Sequence, residues 1–172
     1  VVAVLSERTQ IFIYSKHDED SMQKKLLLSK MITTYGFTPV DDAKHANIIV
    51  SLGGDGAFLQ AVRKTGFRQD CLYAGISTTG TLSMYCDFHF HEMETMINAV
   101  QHSEIEVRRY PILQVIVDDN PPFYCLNEFS IRSNIIKTFV LDVLIDGLQF
   151  ETFRGDGMII ATPTGSTAYN KS

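Results

Sequence analysis

Four residues, Gly53-Gly54-Asp55-Gly56, set one carboxylate among three glycines. Before them, Asn47-Ile48-Ile49-Val50-Ser51-Leu52 carries a β-branched apolar run of the kind a buried parallel strand shows. After them, Ala57 to Lys64 is compatible with a helix. Strand, glycine turn and helix together bring backbone N–H groups and a helix N-terminus up to an anion. Glycine suits such a turn because a Cβ blocks close approach and because φ is often positive there. Asp55 is out of place in a plain phosphate cradle, where a carboxylate repels the ligand. It has a purpose if it holds a metal or takes a proton from an attacking hydroxyl. On these four residues alone, an ordinary tight turn after a strand is an equal reading.

Two later stretches carry polar groups in unusual density. In Gly155-Asp156-Gly157-Met158-Ile159-Ile160-Ala161-Thr162-Pro163-Thr164-Gly165-Ser166-Thr167-Ala168-Tyr169 an apolar strand, Met158 to Ala161, runs into a Thr/Ser/Gly cluster and then helix-favouring residues. Its small donors can hydrogen-bond a polar ligand while Tyr169 offers an aromatic face for a base. A Pro/Gly loop capping a helix is the plainer alternative. Asn127-Glu128 follows the apolar run Phe123 to Leu126. A polar pair breaking a strand pattern destabilises unless both groups find partners, and ribose diols or adenine edges are natural ones. A hairpin edge is the alternative.

The elements that must position these groups are legible by period. Gln10 to Tyr14 reads as a first strand, and Ser21 is expected to cap a helix whose face is Leu28, Met31, Ile32 and Tyr35. Gly36 is its expected stop. Further strands are expected at Phe37 to Val40, Ala46 to Leu52 and Cys71 to Ile76, and a second long helix at His91 to His102. This alternation predicts an α/β N-terminal domain with a small, largely parallel sheet over residues 1–103. From Glu104 the pattern turns to strand after strand: Ile105 to Arg109, Ile112 to Val117, Phe129 to Arg132 and Phe139 to Ile145, with Asp146-Gly147 as a hairpin turn. Residues 104–172 thus read as the first part of a β-rich, antiparallel C-terminal domain that looks incomplete in this chain.

Composition sets outer limits. The 172 residues are 45% hydrophobic and 20% charged, which suits a globular protein able to bury a core. A net charge of −5 argues against broad nucleic-acid binding, which needs a basic face. No apolar run approaches the ~20 residues of a membrane span, and no signal peptide is visible. Cys71, Cys86 and Cys125 are odd in number without a CxxC, as expected of reduced thiols in a cytoplasm. Asp87, His89 and His91 lack further ligands at a supporting spacing, so surface histidines are the expectation there and no protein metal site is assigned. The chain starts at Val1 without a methionine and stops at Ser172, in what reads as a first helical turn. A fragment of something longer is the expectation.

Taken together, GGDG after a strand, a later Asn-Glu and the run from Asp156 to Ser172 resemble the NAD kinases, from Gln10 to the end of the chain. The GGDG loop alone is shared with 6-phosphofructokinases and with lipid kinases; the other two motifs are more specific. The wording of Cys71 to Asp87 looks most like one particular paralogue of the family. The resemblance implies transfer of the ATP γ-phosphoryl group to the adenosine ribose 2′-hydroxyl of NAD, with a divalent cation, Mg²⁺, screening the triphosphate. It implies that Asp55 is the catalytic acid and that Gly53, Gly54 and Gly56 meet phosphate. Asn127 and Glu128 would contact the dinucleotide, as would Arg154 and Asp156. Thr164, Thr167, Ala168 and Tyr169, with Asn170, Lys171 and Ser172, would line the adenine end. Homo-oligomers formed through the C-terminal domain are implied too. Two departures stand out. Ala57 replaces the usual Thr after GGDG. Gly75-Ile76-Ser77-Thr78-Thr79-Gly80-Thr81-Leu82-Ser83-Met84 stands where the common pattern is Gly-Ile-Asn-Thr-Gly-His-Leu-Gly-Phe, with one residue more and without the Asn and the His. These departures give some footing to a non-catalytic NAD/NADP-binding sensor; a lipid or sugar kinase sharing only the GGDG loop is the other rival.

Overall fold

The computed structural model describes residues 9–134 and 138–168. They fall into two compact units, the first ending at Arg108 and the second beginning at Arg109.

The first unit alternates strand and helix: β1 (Gln10–Tyr14), α1 (Glu19–Thr34), β2 (Thr38–Val40), β3 (Ile48–Leu52), α2 (Asp55–Lys64), β4 (Leu72–Ser77), β5 (Phe88–His89) and α3 (Met93–Gln101). The strands form one sheet of order β2-β1-β3-β4-β5 in which every pairing is parallel. β3 lies at the centre and all five of its residues are buried, the reason its sequence is apolar on both faces. Side chains alternate across the sheet. Ile48, Val50 and Leu52 meet Leu28 and Ile32 of α1 and Met93, Met96 and Ile97 of α3. Ile49 meets Ala61 of α2 on the opposite face. The strand order reverses at β1, so the crevice beyond the carboxyl ends of β1 and β3 is a topological switch point, where open α/β sheets take their ligands. Gly53 stands at the carboxyl end of β3.

Three local expectations are corrected. The cap of α1 is Asp18, not Ser21: Asp18 Oδ1 accepts the Ser21 N–H at 2.9 Å and Oδ2 accepts its hydroxyl at 2.9 Å. A carboxylate that takes both donors leaves Ser21 inside the first turn. The helix after the glycine turn starts at Asp55, two residues before Ala57. β5 was not expected, because two residues are too few to show a period. Gly36, at φ +87°, ends α1 as foreseen.

The second unit contains β6 (Leu113–Val115), β7 (Phe123–Cys125), β8 (Glu128–Arg132), β9 (Phe139–Ile145), β10 (Leu148–Gly155) and β11 (Gly157–Ala161). They pair antiparallel as β6 with β7, β8 with β11 and β9 with β10. The strand expected at Ile105 to Arg109 is absent; Arg108 instead reaches Asp87 at 3.3 Å and Glu106 at 3.8 Å, in a segment alternating with charges that favour water. Asp146 and Gly147 both take positive φ, +52° and +79°, the twist a two-residue hairpin requires. β10 runs beyond the expected Glu151 to Gly155, through an irregularity in register at Phe150.

Candidate active site

At the end of β3 the Gly53 N–H donates to Ile76 O at 3.0 Å, and φ there is +141°. A Cβ on Gly53 would lie 2.7 Å from the Ala57 Cβ, so both conformation and space call for glycine. Gly54 caps α2 with its carbonyl, which accepts from Ala57 N at 2.9 Å and Phe58 N at 3.2 Å. The amides of Gly54, Asp55 and Gly56 meet no acceptor among the described residues. These are the orphan donors of a helix start, at its positive end. A Cβ at Gly54 or Gly56 would meet nothing within 4 Å, so packing does not ask for glycine at either; open space lies in front of them.

Asp55 is half-buried at the first position of α2. Its Oδ1 accepts from Ser83 Oγ at 2.7 Å and from Tyr85 N at 2.9 Å, while Oδ2 has no partner among the described residues. Both donors come from the segment between β4 and β5. That stretch is folded on itself: Ser77 Oγ donates to Thr81 O at 2.7 Å, and Ser83 N donates to Cys86 O at 3.3 Å. Tyr85 stacks flat on Phe58 of α2, with centroids 5.0 Å apart. Cys86 is fully buried and its Sγ reaches Gly53 O at 3.7 Å. Burial pushes the Cys86 thiol up, partly offset by the Ser83 hydroxyl, so it stays protonated as a donor. No residue pattern points to Tyr85, whose bond to Asp55 is made by its backbone; Ser83 was visible only as one of several hydroxyls in a turn.

Gly75 makes this arrangement possible. A Cβ there would lie 2.1 Å from Tyr85 O and 2.9 Å from Cys86 Sγ. Gly75→Ala is therefore expected to destabilise the protein by about 1–3 kcal/mol, the usual range for overpacking, seen as a lower urea midpoint at unchanged slope. An unchanged midpoint would show that the 83–86 turn does not rest on β4.

In the second unit Asn127 links β7 to β8, and Thr162 follows β11, with Glu128 opposite Ala161 in the ladder. Thr162, only 3% exposed, ties the two segments together. Its N–H donates to Asn127 O at 2.7 Å, its hydroxyl donates to Leu126 O at 2.7 Å and Asn127 O at 3.0 Å, and the same oxygen accepts the Gly165 N–H at 3.0 Å. Thr164 Oγ1 lies 3.1 Å from Thr162 Oγ1. Gly165 to Thr167 form one 3-10 turn, with Thr167 Oγ1 donating to Thr164 O at 2.9 Å; the helical turn expected at the end of the chain lies outside the described residues. The structure thus brings Asn127, Glu128 and Thr164 together around Thr162, with Thr167 and Ala168 exposed just beyond. Glu128 Oε2 is buried and has no hydrogen-bond partner among the described residues. Such an oxygen costs about 1–3 kcal/mol or more until something donates to it. Arg154 lies exposed on β10 opposite Val140, and Asp156 is the single exposed residue between β10 and β11. No ion pair joins these two among the described residues. Tyr169, Asn170, Lys171 and Ser172 lie outside the described residues.

Residues 126–172 match the family described as the ATP-NAD kinase C-terminal domain. Over 166 residues the chain is 58% identical to NAD kinase 2 of Bacillus subtilis (strain 168), an alignment that covers 96% of this chain and 62% of that protein. By sequence, nearly the whole chain is similar to NAD kinases. It is also 54% identical over 169 residues to NAD kinase 2 of Bacillus cereus, covering 98% of this chain and 63% of the relative. The chain therefore spans less than two thirds of the length of these NAD kinases. Among solved structures its fold is similar to yeast NADH kinase complexed with NADH (TM-score 0.77, 21% identity, 95% of this chain and 60% of that one). It is similar as well to an NAD kinase from Archaeoglobus fulgidus in complex with ATP (TM-score 0.71, 22% identity, 95% and 64%). At those identities the structural likeness speaks for the fold of NAD kinases alone.

Proposed function

We propose that the protein is an NAD kinase that moves the γ-phosphoryl group of ATP to the adenosine ribose 2′-hydroxyl of NAD, giving NADP and ADP. The observation that carries this reading is Asp55 itself: a carboxylate with Oδ1 held and Oδ2 unclaimed, beside three amides that lack acceptors. In the transfer, the 2′-oxygen bonds to the γ-phosphorus as the bond from that phosphorus to the β–γ bridging oxygen breaks. The bridging oxygen leaves on ADP with the electron pair, and the hydroxyl proton goes to Asp55 Oδ2. The loop amides hold phosphate oxygens, and positioning with charge neutralisation supplies most of the acceleration. In the second unit, Asn127, Glu128 and the turn from Thr164 to Ala168 are assigned to the nucleoside, with the buried Glu128 Oε2 accepting from a ligand hydroxyl or amine. Arg154, Asp156 and the 169–172 segment are assigned to the same ligand by resemblance.

Among the described residues, no three His, Cys, Asp or Glu side chains are grouped to hold a metal ion. Mg²⁺ is assigned to the ATP complex as part of the substrate, bound mainly by phosphate oxygens and water. Reduced cysteines support a cytoplasmic setting, and no helix among the described residues is long and apolar enough to cross a membrane. Exposed apolar side chains such as Leu148 and Phe150 support self-association through the second unit.

A coupled assay with ATP, Mg²⁺ and NAD tests the proposal, with ATP-dependent appearance of NADP as the expected result. NAD binding without turnover would assign a sensor instead, and turnover of a non-nucleotide alcohol would assign a different kinase.

A further inference from the structure

We infer that Ser83 is a positioning residue for Asp55, aiming its free carboxylate oxygen at the acceptor hydroxyl. The inference rests on the reading of Asp55 as the proton acceptor. A carboxylate at the first position of a helix can rotate about its side-chain torsions and exchange its two oxygens. Here one oxygen is fixed by two donors that differ in kind. The Tyr85 N–H belongs to the backbone and cannot be removed by substitution short of proline. The Ser83 hydroxyl, at 2.7 Å, is a charge-assisted bond from an exposed side chain. It does no packing in the core, so its contribution is the bond itself.

The turn that carries Ser83 is anchored on three sides. Ser83 N–H bonds to Cys86 O, the buried Cys86 reaches Gly53 O in the phosphate loop, and Tyr85 lies flat on Phe58 of the helix that Asp55 begins. Ser83 is thus referenced to the same loop and helix whose acid it holds. With Oδ1 occupied by both donors, Oδ2 is the basic atom left to meet the hydroxyl.

Steady-state kinetics on the full-length protein test the inference, with Ser83→Ala, Ser83→Thr, Asp55→Asn and the double variant Ser83→Ala/Asp55→Asn. Ser83→Ala is expected to lower kcat about tenfold, the order a single lost hydrogen bond to a charged group supports, with KM for NAD and for ATP within twofold. Ser83→Thr, which keeps the hydroxyl, is expected to restore kcat. In the Asp55→Asn background, loss of the Ser83 hydroxyl is expected to change kcat little, because residues acting as one unit are not additive. An active protein indifferent to Ser83→Ala would overturn the inference alone. So would a loss seen only in KM, a loss that Thr does not rescue, or fully additive losses in the double variant. If the unaltered protein forms no NADP, the functional reading fails and this inference with it.

Discussion

Asp55→Asn is expected to lower kcat by about 10²–10⁴-fold, the usual range for removing a general base, while the Kd for NAD stays within a few-fold of the unaltered protein. The substitution is nearly isosteric. An amide oxygen in place of Oδ1 can still accept from Ser83 Oγ and Tyr85 N, so the 83–86 turn keeps its hold on the side chain. What disappears is the basic oxygen opposite. The negative charge disappears too, which removes a repulsion felt by the triphosphate, so the KM for ATP is expected to fall or hold steady. Rapid-quench measurement of the chemical step, with calorimetry for NAD, separates the two effects. Turnover within about threefold of the original would take Asp55 out of the proton transfer, since the smallest expected loss is about a hundredfold.

Gly165→Ala is expected to weaken NAD binding by more than tenfold and to destabilise the second unit by about 1–3 kcal/mol. A Cβ there would lie 1.9 Å from Asn127 O, 2.3 Å from its carbonyl carbon and 2.7 Å from its Cα. Those are backbone atoms, and they cannot give way without breaking the bonds at 2.7 Å and 3.0 Å from Thr162 to the same carbonyl. Either Asn127 moves or the Thr162–Gly165 turn opens, and both carry groups assigned to the nucleoside. Calorimetric titration with NAD, alongside urea unfolding followed in the second unit, measures the two losses. Unchanged NAD affinity would dissociate the turn from the ligand.

Much of the first unit was legible because burial leaves a period. The apolar run from Ile48 to Leu52 announced a strand covered on both faces, and Leu28, Met31, Ile32 and Tyr35 announced the inner side of α1. Gly36 and Asp146-Gly147 were legible because positive φ restricts the residue type. Asp18 displaced Ser21 as a cap through a local bond that both residues were equipped to make. Other misses share a cause, which is that the deciding contact lies elsewhere in the chain. Ile105 to Arg109 had the alternation of a strand but pairs with no strand among the described residues. Among the candidate residues, the motifs marked Asp55 in the first unit and Asn127 and Glu128 in the second, yet not what holds them. Ser83 and Tyr85 reach Asp55 across 28 and 30 residues, and Thr162 reaches Leu126 across 36. Spacing in the chain does not encode such meetings.

The seating of Asp55 bears on attempts to transplant this loop. Moving Gly53 to Gly56 with α2 onto another parallel sheet would carry over the free amides, because those follow from the helix start alone. The acid would arrive unsteered, since its fixed oxygen depends on a turn that comes from behind β4. The smallest portable unit is therefore two-part: the glycine loop with its helix, and the segment from Gly75 to Cys86, including the glycine that lets that segment lie flat.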